Sequence, residues 1–531
     1  MRWEILSKKG KDIVETLLKN RGIKNKKDFF EPVHPEEIKL NKLGIDKSAV
    51  SKVIKRVNEA KKKKEKVIVY GDYDADGICA TAIAWEALYS YGLDALPYIP
   101  SRFEEGYGLN SESIQKLKTE YQNLGLIVTV DNGIVAYEGI KKAKELGIDV
   151  VVIDHHSKGK KKLNTPYLIH STSVCGSALA YFFAKELGVK SGLELAAIGT
   201  IADQLPLIGV NRSLVKHGLE ALNNTKRPGL LALFIEAGIQ KVGTYEVNYI
   251  IAPRINAMGR LAHGLDSLRL LCTKDKNKAY DLARHLSQTN TERQRIVDEV
   301  VLHTRKNVTA RKVIVLAHES YHEGVIGLAA GKLVEEFYRP AIVLSKKENI
   351  SKASARSIAG FDIIENIRKL EYLIVEGGGH PMAAGFSIET SKIEEFAQKI
   401  NKIADNIITA EILERKLKID LEISFSDISQ KLYKVLLQFD PTGLGNPTPT
   451  FVSRKVKLLG ARQVGKDLSH LKLRLGHGDV EFDAIYFRGG EFYSKLQSGA
   501  ILEVVYQIED NSWNGNKSLQ LKIKDLRLIA D

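Results

Sequence analysis

An apolar run that exits into three alternating carboxylates, VIVYGDYDADGICATA over Val67–Ala82, constrains the fold more than any other stretch of the chain. Val67, Ile68 and Val69 are β-branched and uninterrupted by polar residues, the pattern of a parallel strand buried on both faces. Gly71 and Gly77 turn the backbone out of that strand, and a helix is predicted from about Ile78. Asp72, Asp74 and Asp76 therefore stand at the carboxyl end of a strand, where open α/β sheets place their ligands. Three carboxylates so close repel one another unless a cation neutralises them. A loop of helix-capping aspartates is the competing reading.

The same rhythm of β-branched run, turn and amphipathic helix recurs to about Asn211, in LPYIP, LIVTVDNG, DVVVIDHH and LELAAIGTIADQLPL. It predicts a parallel sheet with helices on both faces. Other elements of this region also end in metal-ligand residues: Asp131 in VDNG, Asp154, His155 and His156 in DHH, and Asp203 in the helical segment AAIGTIADQLPL. Each alone reads as structural: Asp131 as a helix cap, the histidines as polar residues at a strand end, Asp203 as a helix breaker before Pro206. Four elements delivering Asp or His to one topological edge predict a cluster in space. Carboxylates and imidazoles without thiolate suit Mn²⁺ or Mg²⁺ better than a structural zinc. Two ions about 3.5 to 4 Å apart, sharing a bridging carboxylate, would activate a water and stabilise a leaving oxygen, so phosphoester hydrolysis is the expected reaction class. No GxxxxGK[ST] loop is present to support work driven by a nucleoside triphosphate.

The 531 residues exceed what one core accommodates. The pattern predicts an N-terminal helical extension over 1–50, an α/β domain over 51–276, and one connecting helix over 277–308, a stretch free of Pro and Gly. A second α/β domain over 309–407 restarts at KVIVLAH, and a small β-barrel over 408–531 follows, built of about five short strands. The barrel fits an oligonucleotide-binding fold best; an SH3-like barrel matches the same pattern. Lys plus Arg outnumber Asp plus Glu by 79 to 65, and the net charge of +14 favours a polyanionic partner over a general solubility charge. Cys79, Cys175 and Cys272 form no CxxC pair and read as small buried residues. No apolar run has the length of a membrane span, and the amino terminus has no uninterrupted hydrophobic region. A cytoplasmic protein without membrane association is expected.

The set DYDADG, VDNG, DHH and ADQ, in this order and spacing, resembles the DHH phosphoesterase superfamily. SARSI and GGGHPMAAG after the long helix resemble its DHH-associated domain. Within the superfamily, YIPSRFEEGYGLN, APRINAMGRL, HEGVIGLAAGKL and FDPTGLGNPTPTF make the chain similar to the RecJ family of single-stranded-DNA-specific exonucleases, over nearly its whole length. The resemblance implies 5′ to 3′ hydrolysis of single-stranded DNA to mononucleotides, in DNA repair and recombination, with two Mn²⁺ or Mg²⁺ ions. It makes Asp74 and Asp76 ligands of different ions, Asp131 the bridge, His155 and Asp203 further ligands, and His156 the residue facing the scissile phosphate. Asp154 is expected to orient a histidine, and Asp72 to complete a coordination shell or hold water. Arg254, Asn256 and Arg260 combine guanidiniums and an amide suited to phosphates, and in the family this segment lines the path to the active site. Arg102, Ser354 and Arg356 would hold the 5′ end, and His380 would close over the substrate from the second domain; for the arginines, ion pairs with glutamates such as Glu104 or Glu105 are the bland alternative.

Partners implied are single-stranded DNA, a helicase and a single-strand-binding protein, for a chain expected to act as a monomer. The segment SKGKKKLNTPYLIHSTSVCGS after DHH departs from the family pattern, being short and lysine-rich. Two rivals share the motifs. A DHH phosphodiesterase acting on short oligoribonucleotides or cyclic dinucleotides needs no barrel, whereas a long strand gains contacts along one. A non-catalytic replication scaffold would have no reason to keep a full ligand set.

Overall fold

The computed structural model describes residues 1–7, 12–159, 161–307, 310–513 and 516–529; Lys160 of the lysine-rich segment and Val308, the last residue of the predicted connecting helix, lie outside them. Two units form. One comprises Ile38–Asp203 and His217–Arg415, and the other comprises Met1–Glu37, Gln204–Lys216 and Lys416–Asp531. Strand β1 (Arg2–Ser7) belongs to the second.

The first unit holds two five-stranded sheets. In the first, β2 (Lys66–Tyr70), β3 (Asp94–Tyr98), β4 (Leu124–Val130), β5 (Asp149–Asp154) and β6 (Leu168–His170) run parallel in the order β3-β2-β4-β5-β6. Ile68, Tyr70, Ile127, Val150 and Val152 pack beneath the helices Ser111–Glu120 and Tyr137–Glu145. On the other face the helices Ala75–Ser90, Gly176–Glu186 and Leu193–Ala202 pack together. Both faces are thus covered, which is why these strands carry apolar residues without alternation. Each fully buried Val or Ile contributes about 1.5–3 kcal/mol. All carboxyl ends point to one edge, where Asp72 and Asp131 follow just beyond β2 and β4 and Asp154 is the last residue of β5.

The helix after β2 begins at Ala75 rather than Ile78, because Asp74 caps it: its Oδ1 accepts a hydrogen bond from Gly77 N at 2.9 Å. The connecting helix runs Lys276–Asn307. Beyond it β7 (Ile314–His318), β8 (Ala341–Ser345), β9 (Ile350–Arg356), β10 (Ile374–His380) and β11 (Ala383–Glu389) form a mixed sheet, order β10-β11-β9-β8-β7, in which only β7 and β8 run parallel.

In the second unit, β12 (Lys416–Glu422) leads into β13 (Phe451–Val464), β14 (His470–His477), β15 (Val480–Tyr486), β16 (Ile501–Trp513) and β17 (Asn516–Leu528). The order β13-β14-β15-β17-β16 closes through a β13–β16 pairing, the oligonucleotide-binding barrel. The strands expected to be short include three of 13 to 14 residues. The first fifty residues, expected to be a helical extension, instead open with β1, which pairs in parallel with β12. Leu17, Leu18 and Phe29 enter the barrel core, and Arg21 pairs with Asp420 at 2.9 Å, both nearly buried. The reason is long-range: the alternation of Trp3 and Ile5 finds its partner strand about four hundred residues later. The inserted segment Gln204–Lys216 supplies Arg212, which is 0% exposed. Its guanidinium donates to the carbonyls of Phe29, Gln438, Phe439, Asp440 and Pro441 at 2.6 to 3.2 Å and lies 3.9 Å over the Phe29 ring.

Candidate metal centre and adjoining cleft

Three overlapping groups of ligand atoms, each within 4.8 Å, assemble at the sheet edge: Asp72, Asp74 and Asp131; Asp76, His155 and Asp203; and Asp131, His155 and His156. Asp131 stands in two of them, and so does His155. The backbone explains how the carboxylates come so close. Asp131 adopts a left-handed φ of 61°, a conformation that costs a non-glycine residue energy and clusters at functional sites. Gly176 faces it: a Cβ there would come within 2.4 Å of Asp131 Oδ1, and one at Gly199 within 2.1 Å of Asp76 Oδ1. Asp76 is held by the amides of Gly176 and Ser177 at 2.7 and 3.0 Å, at the amino terminus of the helix Gly176–Glu186.

The donor set fits a hard divalent cation. Asp131 Oδ1 is buried without a hydrogen-bond donor, since His155 Nε2 lies 3.1 Å away but out of line. Oxygens dominate, imidazoles complete the set, and no thiolate joins it, the chemistry of a Mn²⁺ or Mg²⁺ site. Asp154 joins none of the three groups. It accepts from Ile134 N at 2.8 Å and from His156 Nδ1 at 2.8 Å, so it orients His156. Burial works to raise Asp154, but these hydrogen bonds and the His156 charge outweigh it and hold it low. Conversely, burial disfavours the His156 cation, yet Asp154 raises it above its ordinary value. Burial lowers His155.

Burial, followed by carboxylate neighbours, raises Asp72, Asp74 and Asp131 and pushes Asp203 up to about 8. A carboxyl raised on folding contributes its stability fully below its unfolded value, about 3.9, and loses it as pH rises through the folded value. Without cation the protein should therefore lose stability as pH climbs from about 4 to about 8. Added Mn²⁺ removes the repulsion, so the gain in Tm on adding Mn²⁺ should be larger at pH 8 than at pH 5.5. A gain independent of pH in thermal denaturation would refute this.

Beside the ligands lies a cavity of about 980 Å³ lined by Tyr73, Arg102, Tyr107, Arg260, Ser354 and Arg356 among others. Arg102 lies 5.2 Å over the Tyr73 ring, and Arg260 donates to the Gly324 carbonyl at 3.2 Å. Neither Glu104 nor Glu105 pairs with Arg102; Glu105 accepts from Tyr98, Ser101 and Ser113 instead. Burial pushes Arg260 down to about 10 and lowers Arg356, and no carboxylate forms an ion pair with either among the described residues. Desolvated, unpaired guanidiniums in a cavity are suited to an anion.

Three of the residues expected to contact the strand fall outside the lining of this cavity. Asn256 Oδ1 accepts from Ala75 N at 2.7 Å, so it braces the Asp74–Asp76 turn. Arg254 is engaged with Ser287 Oγ and the Ile250 carbonyl and does not line the cavity. His380 stands exposed at the end of β10, outside the cavity lining. Sequence reasoning had missed Tyr107, whose hydroxyl lies 3.3 Å from the Asp131 carbonyl and 3.4 Å from His156 Nε2. It had also missed Arg293 on the connecting helix, whose charge acts on Arg260. Tyr107 lay within the quoted YIPSRFEEGYGLN, but nothing local tells an aromatic beside a site from one in a core.

The chain matches the DHH family N-terminal domain over residues 66–202, the DHHA1 domain over 310–406 and the RecJ OB domain over 419–525. It is similar to the single-stranded-DNA-specific exonuclease RecJ of Bacillus subtilis, 34% identical over 94% of this chain and 64% of that protein. It is also similar to that of Salmonella typhimurium, 30% identical over 90% of each. Among solved structures, RecJ of Thermus thermophilus in complex with Mn²⁺ superposes with a TM-score of 0.86 at 27% identity, covering all of this chain and 80% of that one. Its complex with Mg²⁺ gives 0.79, at 26% identity and over 79% of that chain.

Proposed function

The chain belongs to the RecJ family of DHH phosphoesterases, and on that premise we propose that it is a metal-dependent exonuclease degrading single-stranded DNA from its 5′ end to mononucleotides. The observation that carries this reading is the convergence of Asp72, Asp74, Asp76, Asp131, His155, His156 and Asp203 at one sheet edge, beside a cavity walled by unpaired arginines. Asp74 and Asp76 would serve different ions, Asp131 both, with His155, Asp203 and Asp72 completing the set. Two Mn²⁺ or Mg²⁺ ions, when bound, supply an activated water and charge stabilisation at an in-line phosphoryl displacement. His156, oriented by Asp154 and favoured as its cation, faces the scissile phosphate and can hold a proton for the departing O3′. Arg102, Arg260, Ser354 and Arg356 hold the terminal 5′ phosphate.

The barrel supports a long strand over a dinucleotide as substrate, because a dinucleotide needs no surface beyond the cleft. Such an enzyme works on unpaired DNA, so a helicase and a strand-covering protein are the partners this reading expects, for a monomer in the cytoplasm engaged in DNA repair and recombination. No helix among the described residues is long and apolar enough to cross a membrane.

The test is digestion of end-labelled single strands bearing 5′ phosphate or 5′ hydroxyl, with Mn²⁺, Mg²⁺ or chelator. Mononucleotides should leave the 5′ end first and only with metal; release from the 3′ end would overturn the polarity. Removing one charge-assisted phosphate contact costs about 1.5–3 kcal/mol. Arg356→Ala should thus lower kcat/KM on 5′-phosphorylated strands by roughly tenfold to a hundredfold and leave 5′-hydroxyl strands nearly unaffected. Equal losses on both would remove Arg356 from the phosphate site.

A further inference from the structure

A second cavity, of about 440 Å³, shares Tyr107 with the first and is lined by Leu109, Gly133, Val135, Tyr137, Glu138 and Lys161 among others. Tyr107 is the common wall: it lines both cavities while its hydroxyl lies beside Asp131 and His156. Gly159 and Lys161, from the lysine-rich stretch after DHH, stand on one side. Gly159 lies close against Tyr137, since a Cβ there would come within 2.2 Å of the Tyr137 hydroxyl. That hydroxyl donates to the Lys161 carbonyl at 3.1 Å, and Lys161 Nζ stands 5.9 Å over the Tyr137 ring. Val135 is 49% exposed, an apolar side chain left open in a cavity whose shared wall, Tyr107, reaches Asp131 and His156. Lys161 is exposed and forms no ion pair among the described residues.

An aromatic face, an open aliphatic side chain and one unpaired cation match one nucleotide of a single strand, base on apolar surface and phosphate near ammonium. We propose that the cavity bounded by Tyr107, Val135, Tyr137 and Lys161 is the subsite for the nucleotide on the 3′ side of the scissile phosphate. This rests on the exonuclease reading, in which the terminal nucleotide occupies the arginine cavity. The second nucleotide is then carried across Tyr107, because the scissile phosphate between the two must sit at the metal ligands.

The test uses the full chain and 5′-phosphorylated octathymidylates: one intact, one with an abasic residue at position two, one with it at position one. Binding is measured by fluorescence anisotropy in chelator, so it does not depend on turnover. The abasic residue at position two should weaken binding by about tenfold, the lower part of the range for one stacked base. Tyr137→Ala should weaken the intact strand to a similar degree and leave the position-two abasic strand unchanged. A Tyr137→Ala loss that persists on that strand, disappears only with the position-one lesion, or is absent throughout overturns the subsite. Lys161→Glu alters an exposed side chain and leaves folding intact. It should make the salt dependence shallower by about 0.7 in log–log slope, and an unchanged slope removes the phosphate contact. Failure to release 5′ mononucleotides with any metal would refute the exonuclease reading separately, because the binding comparison stands without it.

Discussion

Asp131→Asn should fold and bind strands in chelator like the parent, yet hydrolyse them about a thousandfold or more slowly, the loss of several kcal/mol of transition-state stabilisation. Asn is the informative replacement. It tolerates the left-handed backbone at position 131, whereas Ala would add conformational strain to the loss of charge. It keeps one carbonyl oxygen but removes the negative charge that Asp131 brings to both of its ligand groups. The comparison is kcat on a 5′-phosphorylated strand at saturating Mn²⁺, alongside the melting temperature. Turnover within tenfold of the parent would sink the assignment of Asp131 as a ligand common to two ions.

The largest stability effect is expected far from the chemistry. Arg212→Met should destabilise the barrel-containing unit by about 3–5 kcal/mol, because it strips the donors from buried carbonyls and each acceptor left unsatisfied costs about 1–3 kcal/mol. Met fills much of the volume over the Phe29 ring but donates nothing. Burial already lowers Arg212 to about 10, so it remains charged at neutral pH and its hydrogen bonds are charge-assisted. A fall in Tm of roughly 10 °C is the corresponding thermal signature. A variant melting within 2 °C of the parent, at about the resolution of such a comparison, would show that water or rearrangement serves those carbonyls.

What the residues disclosed in advance, and what they hid, divides by range. The strand ends of the first sheet were legible because the signal is local: a buried apolar run that stops at Asp72, Asp131 or Asp154 is visible within ten residues. Asp74 satisfied both of its readings, capping a helix with one oxygen and joining a ligand group. The place of β1 was hidden because Trp3 and Ile5 have no nearby partner, and an isolated alternating run followed by helices resembles a helical extension. Asn256 was legible as polar and close to the site, but its bond to Ala75 N depends on how the helix Ala252–Leu261 meets the turn after β2. Gly259 makes that approach possible, since a Cβ there would come within 2.5 Å of the Tyr73 carbonyl. Arg212 looked like any arginine in an amphipathic helix. Its cage is assembled from two segments remote in sequence, at Phe29 and at Gln438 to Pro441, so no periodicity marks it.

The pairing of β1 with β12 sets a timetable for biosynthesis. A ribosome adding 5 to 20 residues per second needs roughly 20 to 80 s between the emergence of the two strands. Throughout that interval the first strand has no ladder partner, and Leu17, Leu18 and Phe29 have no core to enter. An unpaired strand edge with nearby apolar side chains is what holdase chaperones bind and what neighbouring nascent chains aggregate through. The stretch from β1 to Phe29 therefore stays exposed during synthesis until β12 and the barrel strands are made, and only then joins a closed core.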